Sequence, residues 1–462
     1  MTAAIAAGHP ATVEVGAAIL GEGGTAADAA VAAALASCVA ETVMTGLLGG
    51  GHAIYYDVAS GRAENLDCFV AIPGLGGPVW DGELVQLEVP FGAELVHYAI
   101  GAASCGVPGV PAGLGELWRR FGRLEWPRLV EPALQLARGG VTMPPAHASC
   151  LAMLAVVMTM DAGGRIYAPG GRLLEAGDRL RQPGLVRALE LLVEEGPGSA
   201  YSGSIAEALL ALMDERGGLV TREDLAAYRA VWTEPVEVGY AGRRFLTRGG
   251  LADLADALRK LPPLRGRPEP ERALDVANVL DDAAATGSAH TTNLSVVDAE
   301  GNACVLTTSL GLGSGDFVPG LDLHLNSMLG EVDLVRAGLE TGDRMGSMMA
   351  PSVALDDGRL AFAGGAAGGT RLRSALVQVA AGILDEGLSP ADAIERPRLH
   401  PVAARVQLEP GFEDATVDAL AAAGYEPRIW AARHHFFGGV SVVTPAGAAG
   451  DPRRSGTSAT VP

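Results

Sequence analysis

Residues 291–310 read TTNLSVVDAEGNACVLTTSL. Two runs rich in β-branched residues flank a short turn that contains Gly301, which is the pattern of a β-hairpin. A three-residue loop at 299–301 would set Thr291 opposite Ser309 across the ladder. Opposed side chains have Cβ atoms about 5 Å apart, so the two hydroxyls would come within bonding reach. A loop one residue different opposes Leu310 instead. Thr and Ser are also good residues for any half-buried strand, so spacing alone leaves both readings open.

Upstream of the hairpin, Thr25 stands three residues before Asp28 and an Ala-rich run, the signature of an N-capped helix. Gly49, Gly50 and Gly51 then lead into HAIYYD, a strand-like alternation closing at Asp57. A Gly and Pro-rich turn after Gly101 opens an amphipathic helix with Leu114, Leu117, Trp118 and Phe121 on one side. Residues 144–240 read mostly as helices, among them 180–195 and 204–216. The segment 262–271, PPLRGRPEPE, reads as an exposed linker. Downstream, a second strand pair is expected at 352–365 and a helix at 374–386. Strands clustered late, with helices before and after them, predict a layered α/β (α+β) domain in one piece.

The chain has 462 residues, 48% hydrophobic and 19% charged. That excludes a disordered tail or a small disulfide scaffold. Its 63 glycines are about twice the usual share of roughly 7%, which asks where backbone approaches backbone or ligand closely. With 54 acidic against 34 basic residues, a net charge of −20 and no basic stripe, neither nucleic acid nor an anionic membrane is an expected partner. The five scattered cysteines suit reduced thiols, and none of the nine histidines has metal-ligand spacing, so no metal is expected. GLLGGGH, residues 46–52, lacks the Lys and Ser or Thr of a phosphate loop, and no cofactor is expected. The start shows no basic region followed by an apolar run, and the apolar stretch 26–40 is too short to span a bilayer. The expectation is a cytoplasmic protein.

Several stretches, in order over nearly the whole chain, resemble the γ-glutamyltransferase family of N-terminal-nucleophile hydrolases. They are GGTAADAAVAA at 23–33, GLLGGGHAIYYD at 46–57, CGVPGVPAGL at 105–114, FGRLEWPRLVEPALQLARGGV at 121–141 and LVTREDLAAYRAVWTEPV at 219–236. The set continues with TTNLSVVDAEGNACVLTT at 291–308, LNSMLGEVD at 325–333, GSMMAPSVAL at 346–355, AGGTR at 367–371 and ERPRLH at 395–400. The resemblance implies a four-layer αββα sandwich and a precursor cut between His290 and Thr291. Segments 1–290 and 291–462 would stay together as a heterodimer, with higher oligomers left open. Thr291 would be the nucleophile and its freed α-amine, with an ordinary pKa near 8, the base. Gly368 and Gly369 match the paired glycines whose amides hold an oxyanion. Ser309 matches a threonine that orients the nucleophile.

The same resemblance marks departures. Phe69 stands where the family grips the donor's α-carboxylate with an arginine, and a phenyl ring cannot form that clamp. Gly311 replaces an asparagine, Met328 a glutamine or glutamate, and Met348 the second of two serines, while Ser347 and Glu331 remain as polar contacts. The implied enzyme is a self-processing hydrolase or acyltransferase acting on a small molecule for which glutathione is a poor model. Two other readings stand beside it. One is a C–C bond hydrolase acting on a keto-acid intermediate of alkylproline-type antibiotic biosynthesis, and the other an inactive binding paralogue. Arg371 and Arg373 are expected to pair with surface carboxylates.

Overall fold

The hairpin forms with the three-residue loop. Thr292 pairs with Thr308, and the ladder runs in register to Val297 opposite Ala303, in a computed structural model that describes residues 2–77, 83–91, 94–281, 291–331, 334–335 and 338–462. Asp298 builds the turn: its Oδ1 accepts from the N–H groups of Glu300, Gly301 and Asn302, each at 3.0 Å. Gly301 takes φ 98°, a conformation that favours glycine. One step past the last pair, the same register sets Thr291 opposite Ser309.

The strands of the two large sheets are numbered β1 to β13 along the chain. The first sheet holds Ala3–Ala7 (β1), Gly50–Asp57 (β2), Arg62–Cys68 (β3), Val231–Thr233 (β4), Thr292–Val297 (β7), Ala303–Ser309 (β8) and Thr457–Val461 (β13). The second holds Val236–Tyr240 (β5), Arg243–Thr247 (β6), Ser352–Asp356 (β9), Arg359–Ala367 (β10), Gly439–Thr444 (β11) and Gly447–Gly450 (β12). Spatial order is β13-β1-β7-β8-β2-β3-β4 in the first and β12-β11-β10-β9-β6-β5 in the second. The segments before and after Thr291 both contribute to both sheets.

Alternation along each strand divides its residues between two cores. Ile54, Val297 and Val305 pack between the sheets against Leu246, Val353 and Val443. Leu294, Val296 and Leu306 face the opposite way, against a helical layer. That layer comprises Pro10–Gly21 (α1), Ala26–Ala40 (α2), Val110–Phe121 (α3), Trp126–Gly139 (α4) and Pro183–Glu195 (α5). On the outer face of the second sheet lie Leu254–Lys260 (α6), Glu269–Leu280 (α7), Arg371–Leu384 (α8) and Asp414–Ala422 (α9). The result is the expected αββα order of layers.

Thr25 and Asp28 form a reciprocal capping box at the head of α2, and every residue of that helix is buried. Its run of alanines allows close approach to α1, α4 and the sheet at once, as a Leu-rich helix could not. Boundaries shift where proline intervenes. Residues 179–180 form a short strand and α5 starts at Pro183, which supplies φ for a first helical turn. The segment 262–271 is not a linker throughout. Leu264 is buried in the outer core, its N–H donates to Asp385 Oδ2, and α7 begins at Glu269, using Pro270 in its first turn. The helix expected at 374–386 begins earlier, at Arg371.

Candidate active site

Thr291 immediately precedes β7 and is 3% exposed. With Glu41, Thr292, Asn293, Ala367, Asp451 and Arg454, it lines a small cavity of about 10 Å³, room for about one water. Three neighbours reach this point through the ladders. Ser309 ends β8, Gly50 opens β2 directly opposite Ser309, and Phe69 follows the end of β3. A Cβ on Gly50 would meet Val70 N at 2.6 Å and Phe69 Cα at 3.0 Å, so the glycine is needed for the chain to pass. The Ser309 hydroxyl accepts from Gly311 N–H at 2.9 Å.

Gly368 and Gly369 directly follow Ala367, the cavity-lining last residue of β10. Their φ values are 135° and 58°, and the chain turns there into α8. Among the described residues, no acceptor takes the N–H of either glycine. A turn that leaves adjacent N–H groups free can hold a developing oxyanion.

One rung further along the same face of the sheet, β7, β8, β2 and β3 bring together Asn293, Thr307, His52 and Asp67. Thr307 Oγ1 donates to Asn293 Oδ1 at 2.7 Å. His52 Nδ1 lies 3.7 Å from Asp67 Oδ1, and its ring stacks on Phe69 with centroids 5.4 Å apart. Burial pushes the His52 imidazole down to about 3, aided by Arg248, so it stays neutral.

The expected substrate contacts divide into two groups. Phe69 and Met328 belong to one buried apolar cluster with Val70, Leu334, Met345 and Met349. Gly311, at φ 69°, faces Glu331: a Cβ there would lie 2.5 Å from Glu331 Oε1 and 2.8 Å from Ser327 Oγ. Ser347 Oγ accepts from Met349 N–H at 3.2 Å, and Met348 is half-buried. Arg371, expected at the surface, is buried with its guanidinium 4.7 Å from the centre of the Phe436 ring. His290 lies outside the described residues.

Sequence reasoning missed two charged residues beside Thr291. Glu41 follows the C-terminus of α2 and is 1% exposed. Its Oε1 accepts from Thr12 Oγ1 at 2.7 Å, and its Oε2 accepts from Thr292 Oγ1. Burial pushes its carboxyl up to about 7, against the pull of Thr292, Thr12 and Arg454. Arg454 is buried, and its Nη1 reaches Met44 Sδ at 3.7 Å and the Thr291 carbonyl oxygen at 3.3 Å. Next to it, Asp451 takes Arg398 Nη2 at 2.6 Å and Arg453 Nη1 at 3.3 Å. Burial works against its ionisation, yet those guanidiniums hold it below the ordinary carboxylate range. A signal for Glu41 was available, because an acid at the C-terminal end of a helix opposes the helix dipole.

Comparison with known proteins finds the Gamma-glutamyltranspeptidase family matching residues 12–259 and 252–461. The Acylase ACY 1 proenzyme of a Pseudomonas species is 29% identical, over 90% of this chain and 86% of its own length. The Glutathione hydrolase proenzyme of Escherichia coli is 28% identical, over 89% of this chain and 83% of its own. Among solved structures, the cephalosporin acylase from Bacillus halodurans superposes with a TM-score of 0.85 and 23% identity, covering 99% of this chain and 95% of that one. That last likeness is one of fold.

Proposed function

The chain belongs to the gamma-glutamyltranspeptidase family, and from that premise we propose that it is a self-processing hydrolase or acyltransferase whose nucleophile is Thr291. The observation that carries this reading is the placement of Thr291. It immediately precedes β7 in the register that opposes it to Ser309, in a cavity also lined by the residue that precedes Gly368 and Gly369. Cleavage before Thr291 frees an α-amine on the residue that bears the hydroxyl. The amine takes the hydroxyl proton, Oγ attacks the acyl carbonyl, and the two glycine N–H groups stabilise the oxyanion. The acyl group then passes from the ester to water or to an amine. Because both segments share both sheets, the fragments would remain together as a heterodimer. A cytoplasmic location belongs to the same proposal.

The acyl donor is read as one without an α-amino acid head. Phe69 and Met328, at two clamp positions, pack into an apolar cluster, where a free carboxylate would lose its hydration. Acylase among the relatives' names supports an acyl donor other than glutathione. The same apolar wall also suits a keto acid cleaved at a carbon–carbon bond in specialised-metabolite biosynthesis.

The test is expression of the intact chain and of Thr291→Ala, followed by a denaturing gel and intact mass. The natural sequence should give two fragments, the second starting at Thr291, and Thr291→Ala one. The cut protein is then offered γ-glutamyl-p-nitroanilide, other acyl amides and β-diketo acids, and mass spectrometry seeks an adduct on Thr291. Brisk γ-glutamyl release would overturn the substrate reading. A cut protein that acylates on no substrate would instead favour an inactive binding paralogue.

A further inference from the structure

Self-cleavage has a requirement that later turnovers do not. In the uncut chain the nitrogen of Thr291 is an amide, with no basic lone pair to take the hydroxyl proton. The first reaction therefore needs a proton acceptor from elsewhere in the fold. Resting on the reading of Thr291 given above, we propose that Glu41 is that acceptor, working across the small cavity it shares with Thr291 and giving way to the freed amine once the chain is cut.

The geometry points to Glu41 in three ways. Glu41 lines the same cavity as Thr291, and that cavity, about 10 Å³, has the size of one bridging water. It is oriented from two elements, by Thr12 of α1 and Thr292 of β7, and a carboxylate has about four acceptor sites, so two remain. The backbone also makes room for it: a Cβ on Gly8 would lie 2.6 Å from Glu41 Oε2. The other titratable groups lining this cavity are Asp451, His147 and Arg454, and Cys38 of α2 acts on Glu41 electrostatically. Asp451 is committed to Arg398 and Arg453. Burial drives His147 down to about 3, leaving it a weak base. A carboxyl near 7 is suited to accept and return a proton at neutral pH.

The step balances. Glu41 takes the Thr291 Oγ proton through the water while Oγ bonds to the carbonyl carbon of residue 290. The bond from that carbon to the Thr291 nitrogen breaks, and the nitrogen takes the proton back from Glu41, leaving an ester and a free amine. A second water then hydrolyses the ester: one of its protons passes to the new amine, the other returns to Thr291 Oγ as that oxygen leaves, and the carboxylate of residue 290 is released.

The test follows full-length chains made by cell-free translation, comparing the natural sequence with Glu41→Gln and Thr291→Ala from pH 5 to 9. The natural chain should cut faster as pH rises through about 7 and then level off. Glu41→Gln should cut at least about 100-fold more slowly and lose that inflection, while Thr291→Ala stays whole. Glu41→Gln cutting at the natural rate would overturn the inference and leave the Thr291 reading standing. A natural chain that never cuts, or Thr291→Ala that does, would overturn the Thr291 reading and this inference with it. Should Glu41→Gln fail to fold by circular dichroism, the natural chain still decides: a rate that does not rise between pH 6 and 8 refutes Glu41.

Discussion

Arg454 donates from Nη1 to the carbonyl oxygen of Thr291 at 3.3 Å, and its Nη2 lies 3.3 Å from where a Cβ on Gly368 would stand. One buried guanidinium thus touches the backbone of the proposed nucleophile and abuts Gly368, the first of the two proposed oxyanion glycines. It comes from a short turn that follows the outermost strand of the second sheet, fixed by Asp451 through Arg398 and Arg453.

Arg454→Met keeps most of the side-chain volume and removes the donor. Its expected effect is on placement rather than chemistry: a misplacement near 1 Å costs about 100-fold in rate. Turnover by cut protein should show kcat lowered by that order with KM within a few-fold. An unchanged kcat would show that the contact does not position Thr291.

The two proposed oxyanion glycines, Gly368 and Gly369, should respond differently to alanine. At Gly368, φ is 135° and a Cβ would stand 3.0 Å from Gly438 Cα, so backbone must move. At Gly369, φ is 58°, the left-handed helical region that alanine enters for about 1–2 kcal/mol. Denaturant unfolding should show Gly368→Ala as the more destabilised, and the kinetics should show it losing about 100-fold or more in kcat. Equal stabilities would contradict the steric argument.

The hairpin was legible in the sequence because its determinants are local: an Asp and Gly-containing turn, β-branched runs and a period of two. The capping box of Thr25 and Asp28 was legible for the same reason. Glu41 and Arg454 were not, since their importance arises only when α2 and the C-terminal turn converge on Thr291 from 250 and 163 residues away in sequence. The segment 262–271 misled because proline reads as a breaker, yet Pro270 sits in a first helical turn, where a missing N–H costs nothing. Phe69 was found as a departure from a pattern. That it stacks on His52 and packs with Met328 required the fold.

That packing yields a prediction about engineering the donor site. Phe69 is 1% exposed within an apolar cluster. Phe69→Arg should therefore not create a working carboxylate clamp. It would bury a guanidinium inside an apolar cluster, with a desolvation cost of roughly 3 kcal/mol or more, seen as a lowered melting temperature with no gain in γ-glutamyl-p-nitroanilide hydrolysis. A stable variant that gains this activity would show that the cluster opens to substrate.

Glu41 also predicts how stability depends on pH. Its carboxyl is raised from 4.5 to about 7 in the folded chain, so folding favours the protonated form. The sign follows: the stabilisation is fully present below about 4.5 and is lost as pH rises through about 7, where the buried group must ionise. A shift of this size corresponds to about 3 kcal/mol at 1.36 kcal/mol per unit. Asp451, held below the usual range, acts with the opposite sign and loses its contribution in acid. The comparison that isolates Glu41 is Glu41→Gln against its parent, both carrying Thr291→Ala so that neither chain is cut. Glutamine keeps one acceptor oxygen, turns an N–H2 donor toward the other threonine hydroxyl, which can accept, and cannot ionise. Melting curves should show the glutamine variant gaining on its parent as pH rises from 5 to 8, with a constant difference above 8. A difference that does not change with pH would mean Glu41 titrates at its ordinary value, and its place as a proton acceptor at neutral pH would fall with it.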